Sequence, residues 1–274
     1  MPATTPIHVT PIHVTPIQVT PIPAFNDNYI WLLRSGSEAV VVDPGDAEVV
    51  TEQLQQLGIA LTAIWITHHH PDHVGGVERL LERWPVPVFG PAGSPAEQLF
   101  SVHLTAGQQL QLGTTRFDVL AIPGHTLDHI AFYCAESAML FCGDTLFAGG
   151  CGRVFEGTFE QMYQSLQQLA ALPADTAIYC AHEYTLANLA FASAVEPDNV
   201  DLQQRLQRDQ QLRQHGQPTL PSTLASELAT NPFLRCETAT EAMTRALLEA
   251  GFGDSTALNG AARFAALRRW KDSF

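Results

Sequence analysis

The chain has 274 residues, 46% of them hydrophobic and 15% charged, with 28 acidic against 14 basic residues and a formal charge of −14. That length suffices for one large packed domain or two smaller ones. The acidic balance argues against nucleic acid, whose phosphates require basic patches, and no stretch approaches the roughly 18–20 apolar residues of a membrane span. No basic segment followed by an apolar core opens the sequence, so the cytoplasm is the expected compartment. Five scattered cysteines, at 134, 142, 151, 180 and 236, show no paired framework and read as reduced thiols.

In chain order, the first feature is a pentapeptide repeat: Pro6–Thr10, Pro11–Thr15 and Pro16–Thr20, followed by Pro21-Ile22-Pro23. Proline every fifth residue resists helix and central strand. Residues 1–21 are therefore expected to be a poorly ordered leader, with only the last copy docking as an edge strand. His8 and His13 within it have no assigned role. From Phe25 the pattern becomes regular, with strands at 29–33 and 39–42. A helix begins after Asp43-Pro44-Gly45-Asp46, with Val50, Leu54 and Leu57 on one face and Gly58 closing it. An apolar strand at 61–66 comes next, then a helix near 77–83, a strand at 86–89 and a helix near 95–100. Strands follow at 110–112, 116–122, 130–134 and 139–142, then a helix at 159–169 and a last clear strand at 176–180. Such alternation implies a layered α/β sandwich over residues 22–185. Residues 186–274 read as helical, with a capping-box spacing at Thr238 and Glu241, an apolar face of Met243, Leu247 and Ala250, a stop at Gly251 and a final helix over 260–270.

The strand at 61–66 ends in Thr67-His68-His69-His70-Pro71-Asp72-His73. Side chains alternate at a strand end, so His68 and His70 share a face while His69 points elsewhere. Asp72 and His73 follow at the turn, within reach of a second centre. Imidazole with carboxylate suits zinc, iron or manganese. Three further residues follow strands in the same manner: His125 in Pro-Gly-His-Thr, Asp144 in Cys-Gly-Asp-Thr and His182 in Cys-Ala-His-Glu. The inventory becomes His68, His70 and His125 for one ion, and Asp72, His73 and His182 for the other, with Asp144 bridging. Each ion keeps an open position, as a catalytic site requires.

With these residues the chain resembles the metallo-β-lactamase superfamily, whose fold is an αββα sandwich with its site at one edge. Phe25-Asn26-Asp27-Asn28-Tyr29, Gly150–Thr158, His182–Thr185, Asn231–Arg235 and the terminal Arg268-Arg269-Trp270-Lys271-Asp272 narrow the resemblance to the hydroxyacylglutathione hydrolases (glyoxalase II). It extends from about Ile22 to Phe274. The resemblance implies two divalent metal ions, zinc foremost with iron or manganese as alternatives. Asp72 and Asp144 hold them in catalysis, and a metal-bridging hydroxide attacks the thioester of an S-(2-hydroxyacyl)glutathione. It also implies that Arg153, Tyr184, Arg268 and Lys271 bind the glutathione moiety, in a monomer that engages neither nucleic acid nor membrane. Two departures stand out: Phe155 where some relatives carry tyrosine, and Asp128 where glycine is common before the histidine. His129 reads as structural, and His69 is no ligand in the family pattern.

A shared fold hosts several chemistries. The alternatives are a mononuclear-iron persulfide dioxygenase, another hydrolase of this fold such as a lactonase or β-lactamase, or a non-catalytic metal- or glutathione-binding module. Asp144 argues against the β-lactamase branch, and the helical C-terminal part against the dioxygenase.

Overall fold

The computed structural model describes residues 16–238, 240–252 and 259–274. His8 and His13 lie outside them. A first sheet contains β1 (Gln18–Ala24), β2 (Asn28–Ser35), β3 (Glu38–Val42), β4 (Ala63–Trp65), β5 (Val88–Pro91) and β6 (Val102–Leu104), in that spatial order. Strands β1 to β3 are antiparallel, and β3 to β6 run parallel. The second sheet takes β7 (Gln109–Leu112), β8 (Thr115–Ala121), β9 (Ile130–Cys134) and β10 (Met139–Gly143). A small hairpin, β11 (Leu146–Phe147) with β12 (Gly150–Cys151), follows. Beyond it, β13 (Ala177–Cys180) and β14 (Ser222–Thr223) complete the second sheet in the order β14-β13-β10-β9-β8-β7, with β10 and β13 parallel.

Alternation of side chains explains the layering. Trp31, Leu33, Val40, Val42 and Trp65 pack toward the second sheet with Phe117, Phe132 and Phe141. The intervening Ile30, Leu32, Val41 and Ile64 pack in a separate cluster with Val50, Leu54, Val77 and Leu80. The latter four come from helices α1 (Ala47–Leu57) and, after the single turn α2 (Pro71–Val74), α3 (Val77–Arg83). A sheet covered on both faces has no polar side to display, which is why its strands read as continuous apolar runs. Each fully buried side chain of this size contributes roughly 1.5–3 kcal/mol. On the far side of the second sheet lies α4 (Phe159–Ala170), whose Thr158 and Gln161 form a capping box. The fold is thus the expected αββα sandwich.

Helices α5 (Thr185–Val195), α6 (Val200–Gln214), α7 (Leu224–Thr230), α8 (Glu241–Glu249) and α9 (Gly260–Ser273) make up most of the remainder. Among the described residues, no helix is long and apolar enough to cross a membrane. All five cysteines are buried and free.

Several boundaries differ from expectation. The last copy of the repeat docks as the expected edge strand, which runs from Gln18 with Pro21 paired opposite Trp31 and so begins before the boundary drawn at Ile22. The helix expected at 95–100 is a single 3-10 turn, Glu97–Leu99, and the strand at 86–89 lies at Val88–Pro91. Leu57 is exposed rather than on the buried face of α1. Helix α8 is capped by the Thr240 hydroxyl, which accepts from Met243 N, so the Thr238 spacing was coincidental. The β11–β12 hairpin, β14 and β6 have only two or three residues each, too few for periodicity to announce.

A buried polar network fastens the helical part to the sandwich. Arg205 of α6 donates to Glu227 of α7 at 2.6 Å and to Thr230 at 2.7 Å. The second oxygen of Glu227 accepts from Gly149 N at 2.8 Å and from Asn231 Nδ2 at 3.1 Å. Asn231 Nδ2 also donates to Gly150 O at 2.9 Å, so the turn of the β11–β12 hairpin hangs from α7. Glu227 is fully buried and Arg205 is 4% exposed. Glu227→Ala leaves the buried Arg205 guanidinium with Asp209 as its remaining carboxylate, at 3.4 Å, and the Gly149 N–H without its acceptor. It should cost about 3–5 kcal/mol, read as a lower urea midpoint at unchanged slope; an unmoved midpoint would contradict the network's importance.

Candidate metal centre

The parallel pairings bring their carboxyl ends to one edge of the sandwich. Asp43 follows β3, the histidine motif follows β4, Asp144 follows β10 and His182 follows β13, while His125 comes from the loop after β8. Ligand sites in open α/β sheets favour this edge. His68, His70 and His125 offer one nitrogen each within 4.8 Å of one another, as do ligand atoms of Asp72, His73 and His182. Asp144 lies between the groups. Its Oδ2 is 3.4 Å from His125 Nε2 and 3.3 Å from His182 Nε2, and its Oδ1 is 3.5 Å from His73 Nε2. The structure brings together all seven residues proposed as ligands.

Outer contacts set which ring nitrogen faces inward. His182 Nδ1 is 2.8 Å from Asp27 Oδ1, His73 Nδ1 is 3.0 Å from Asp43 Oδ2, and His125 Nδ1 is 2.7 Å from Arg153 O. A ring that donates from Nδ1 keeps its Nε2 lone pair free. His68 Nδ1 lies 3.1 Å from the Thr67 hydroxyl, which donates to Asp43. Asp43 also accepts from Thr67 N, and it holds φ at 55°, a region that side chains other than glycine seldom occupy. His70 instead presents Nδ1, 3.0 Å from His125 Nε2. The inward His68 Nε2 and Asp144 Oδ1 and both ring nitrogens of His73 are buried with no hydrogen-bond partner, His73 Nδ1 meeting Asp43 only as an ion-pair contact. Orphaned buried donors and acceptors are costly unless an ion claims them, so the residues present fit two divalent metals.

Electrostatics agree. Burial would raise the Asp144 carboxyl, yet facing His73 and His182 hold it well below the usual carboxylate range. Burial opposes protonation of His182, but Asp144 and Asp72 push its pKa up to about 10. His68, fully buried among other imidazoles, is driven well below the usual histidine value.

The remaining residues of the motif take other roles. His69 turns Nδ1 to Asp128 at 3.0 Å and Nε2 to Glu156 at 3.2 Å, away from both triads. Asp128 also accepts from Ser94 and Thr126, each at 2.6 Å, which gives the departure at this position three partners. Buried His129, its pKa lowered by desolvation to about 3, accepts from Asp144 N at 3.1 Å and so aims that residue. Glycine is required where backbone meets backbone: a Cβ on Gly152 would collide with the Asp144 carbonyl, and one on Gly45 with that of Asp72. Asp43, Asp27 and Asn28, whose Nδ2 donates to Asp72 at 2.9 Å, were missed as site residues. The Asn-Asp-Asn run and an aspartate at a strand's end were the available signals.

The four residues expected to meet substrate flank this centre. The Tyr184 ring stacks on His182 at 4.7 Å and 2°, beside a cavity of about 420 Å³ that Phe25, Asp27, Asn28 and Asp72 also line. Arg153 carries a half-exposed guanidinium next to the Phe155 ring, which meets His70 and His125 edge-on. Arg268 is 5% exposed, with Nη1 on Cys151 O at 2.9 Å. Lys271 donates to Ala187 O at 3.2 Å. Burial pushes the neighbouring Cys151 thiol up to about 11, so it stays protonated.

Family models match in two parts: the metallo-β-lactamase superfamily over residues 24–182, and the hydroxyacylglutathione hydrolase C-terminus over 183–274. The hydroxyacylglutathione hydrolase of Alkalilimnicola ehrlichii is 54% identical over 253 residues, covering 91% of this chain and 96% of its own. That of Pseudomonas fluorescens is 52% identical over 257 residues, covering 92% and 97%. The chain belongs to the hydroxyacylglutathione hydrolase family. Among solved structures, ETHE1 from Myxococcus xanthus shares the fold with TM-score 0.62 and 24% identity, over 91% of this chain and 99% of its own. TTHA1623, solved in a di-iron-bound form, has TM-score 0.53 and 32% identity over 60% of this chain and 92% of its own.

Family membership and the paired His/Asp clusters support a binuclear centre. In the metal-free protein His182, raised to about 10, holds a proton that an incoming ion must displace. Zinc binding should therefore release protons and weaken as pH falls from 8 to 6. Calorimetry in buffers of different ionisation enthalpy checks this; a buffer-independent heat would contradict it.

Proposed function

We propose that this chain hydrolyses S-(2-hydroxyacyl)glutathione thioesters, chiefly S-D-lactoylglutathione, to glutathione and the hydroxy acid. The observation that carries the proposal is the sharing of Asp144 by two histidine-rich triads, next to cations contributed by both the sandwich and the last helix. Relatives named hydroxyacylglutathione hydrolase, alike along the helical part, favour this over a dioxygenase or a β-lactamase.

His68, His70 and His125 would hold one ion, Asp72, His73 and His182 the other, with Asp144 serving both. Two bound divalent ions supply a water acidified toward neutral pH and an electrostatic counterweight to charge developing on the carbonyl oxygen. The protein's own part is orientation. Asp43 and Asp27 fix the rings of His73 and His182, and His129 fixes Asp144. The departing thiolate, whose conjugate acid has a pKa near 8.5, needs no strong general acid. Arg153, Arg268, Lys271 and Tyr184 would hold the glutathione moiety. Arginine suits paired recognition of a carboxylate, while lysine offers a point charge.

Zinc is the proposed metal. Iron and manganese suit the same donors, and the relative solved with two irons shows that iron can fill a related site. Free thiols accord with a reducing cytoplasm. A monomer is the proposed assembly.

Assay of S-D-lactoylglutathione hydrolysis with metals quantified in the same preparation tests the whole proposal. No turnover by the metal-replete protein would end it. Asp144→Asn should lose metal and activity together, activity by at least about 100-fold; full dinuclear occupancy with undiminished turnover would remove Asp144 from the bridging role. Lys271→Ala should raise KM for the glutathione thioester about tenfold while sparing a neutral thioester. Equal effects on the two substrates would contradict a carboxylate contact.

A further inference from the structure

Asp272 stands between the two arginines of the proposed glutathione site. Its Oδ1 lies 3.2 Å from Arg153 Nε and 3.1 Å from Arg268 Nη2. The arginines differ in how they are held. Arg268, in α9, is buried, bonded to Cys151 O and seated 5.2 Å from the centre of the Phe233 ring. Arg153, in the loop after β12, is 53% exposed at its side chain, and Asp272 is its guanidinium's only hydrogen-bond acceptor among the described residues. The chain from Arg268 through Asp272 to Arg153 therefore links a buried cation to an exposed one. Arg153 in turn sits by Phe155, whose ring meets His70 and His125.

Two physical effects oppose each other here. Asp272 adds negative charge where an anionic substrate should bind, and on charge alone its removal should strengthen binding. An arginine already held in place, however, loses less rotamer freedom when it meets a carboxylate. The pairing is partly exposed, so screening weakens its charge toward substrate and toward Arg153 alike, and what it retains is the hydrogen bond that sets the direction of the guanidinium. We infer that Asp272 is a positioning residue that holds Arg153 ready for a carboxylate of the substrate, with buried Arg268 as its anchor. The inference rests on the proposed glutathione thioester activity.

The test compares KM and kcat of wild type, Asp272→Ala and Asp272→Asn on S-D-lactoylglutathione and on its diethyl ester, which lacks both carboxylate charges. Asp272→Ala should raise KM for the free acid about fivefold with kcat within about twofold, and leave KM for the diester unchanged. Unchanged diester kinetics also show that the variant is folded. Asp272→Asn retains an acceptor oxygen and should recover most of the affinity. A lower or unchanged KM for the free acid in Asp272→Ala overturns the positioning role, as does a rise shared equally by the diester. Failure of the underlying activity is distinguishable, because wild type would then hydrolyse neither substrate.

Discussion

Asp144 is surrounded by imidazoles in a pocket from which water is largely excluded. Burying several such rings together drives each toward neutrality, as at His68 and His125, where desolvation lowers the pKa. Asp144 between the groups, helped by Asp43 and Asp72, reverses this locally and raises His73 and His182. The centre is thus already polarised into a neutral side, His68, His70 and His125, and a side that retains protons. Remaining details of the edge hold that carboxylate in place: His129 bonds its backbone N–H, and Gly152 lets the following loop press against its carbonyl.

The helical part acts on this centre indirectly. Arg205, Glu227 and Asn231 grip the turn of the β11–β12 hairpin from one side, and Arg268 grips Cys151 from the other. The residues after the hairpin, Gly152 to Glu156, touch Asp144, His125, His70 and His69. A segment of few residues carries information between two parts of the chain because it is clamped at both ends. The same segment places Arg153, so the position of the metal ligands and that of the cation near them are set by one piece of backbone.

Much of this was legible in the sequence, for physical reasons that vary by residue. Histidines crowded at a strand end have few structural uses, so His68, His70 and His73 announced themselves. Asp144, His125 and His182 gained meaning only jointly, each after an apolar strand. Asp43 and Asp27 did not, since a single aspartate after a strand is as often a turn residue, and Asp43 stood in the stretch read only as leading into a helix. The hairpin escaped because two-residue strands have no period. Asp272 was legible only as the end of the terminal family-like run; the approach of Arg153, more than a hundred residues earlier, is visible only in the fold. Arg268, proposed for the same glutathione site, is largely buried and meets Asp272 from the other side.

The edge strand β1 carries a consequence of a different kind. Pro21 and Pro23 pair opposite Trp31 and Tyr29. Being two apart, they direct their nitrogens to the same side of the strand, and lacking N–H groups they can only belong on the side away from β2. Among the described residues no strand pairs with that margin of the first sheet, which at Pro21 and Pro23 presents carbonyls without donors. An unpaired margin is ordinarily a template for addition of a foreign strand, and thus for aggregation. Here the last proline-rich stretch works as a selvedge along the described edge of the sheet, where two of its residues have no N–H to offer.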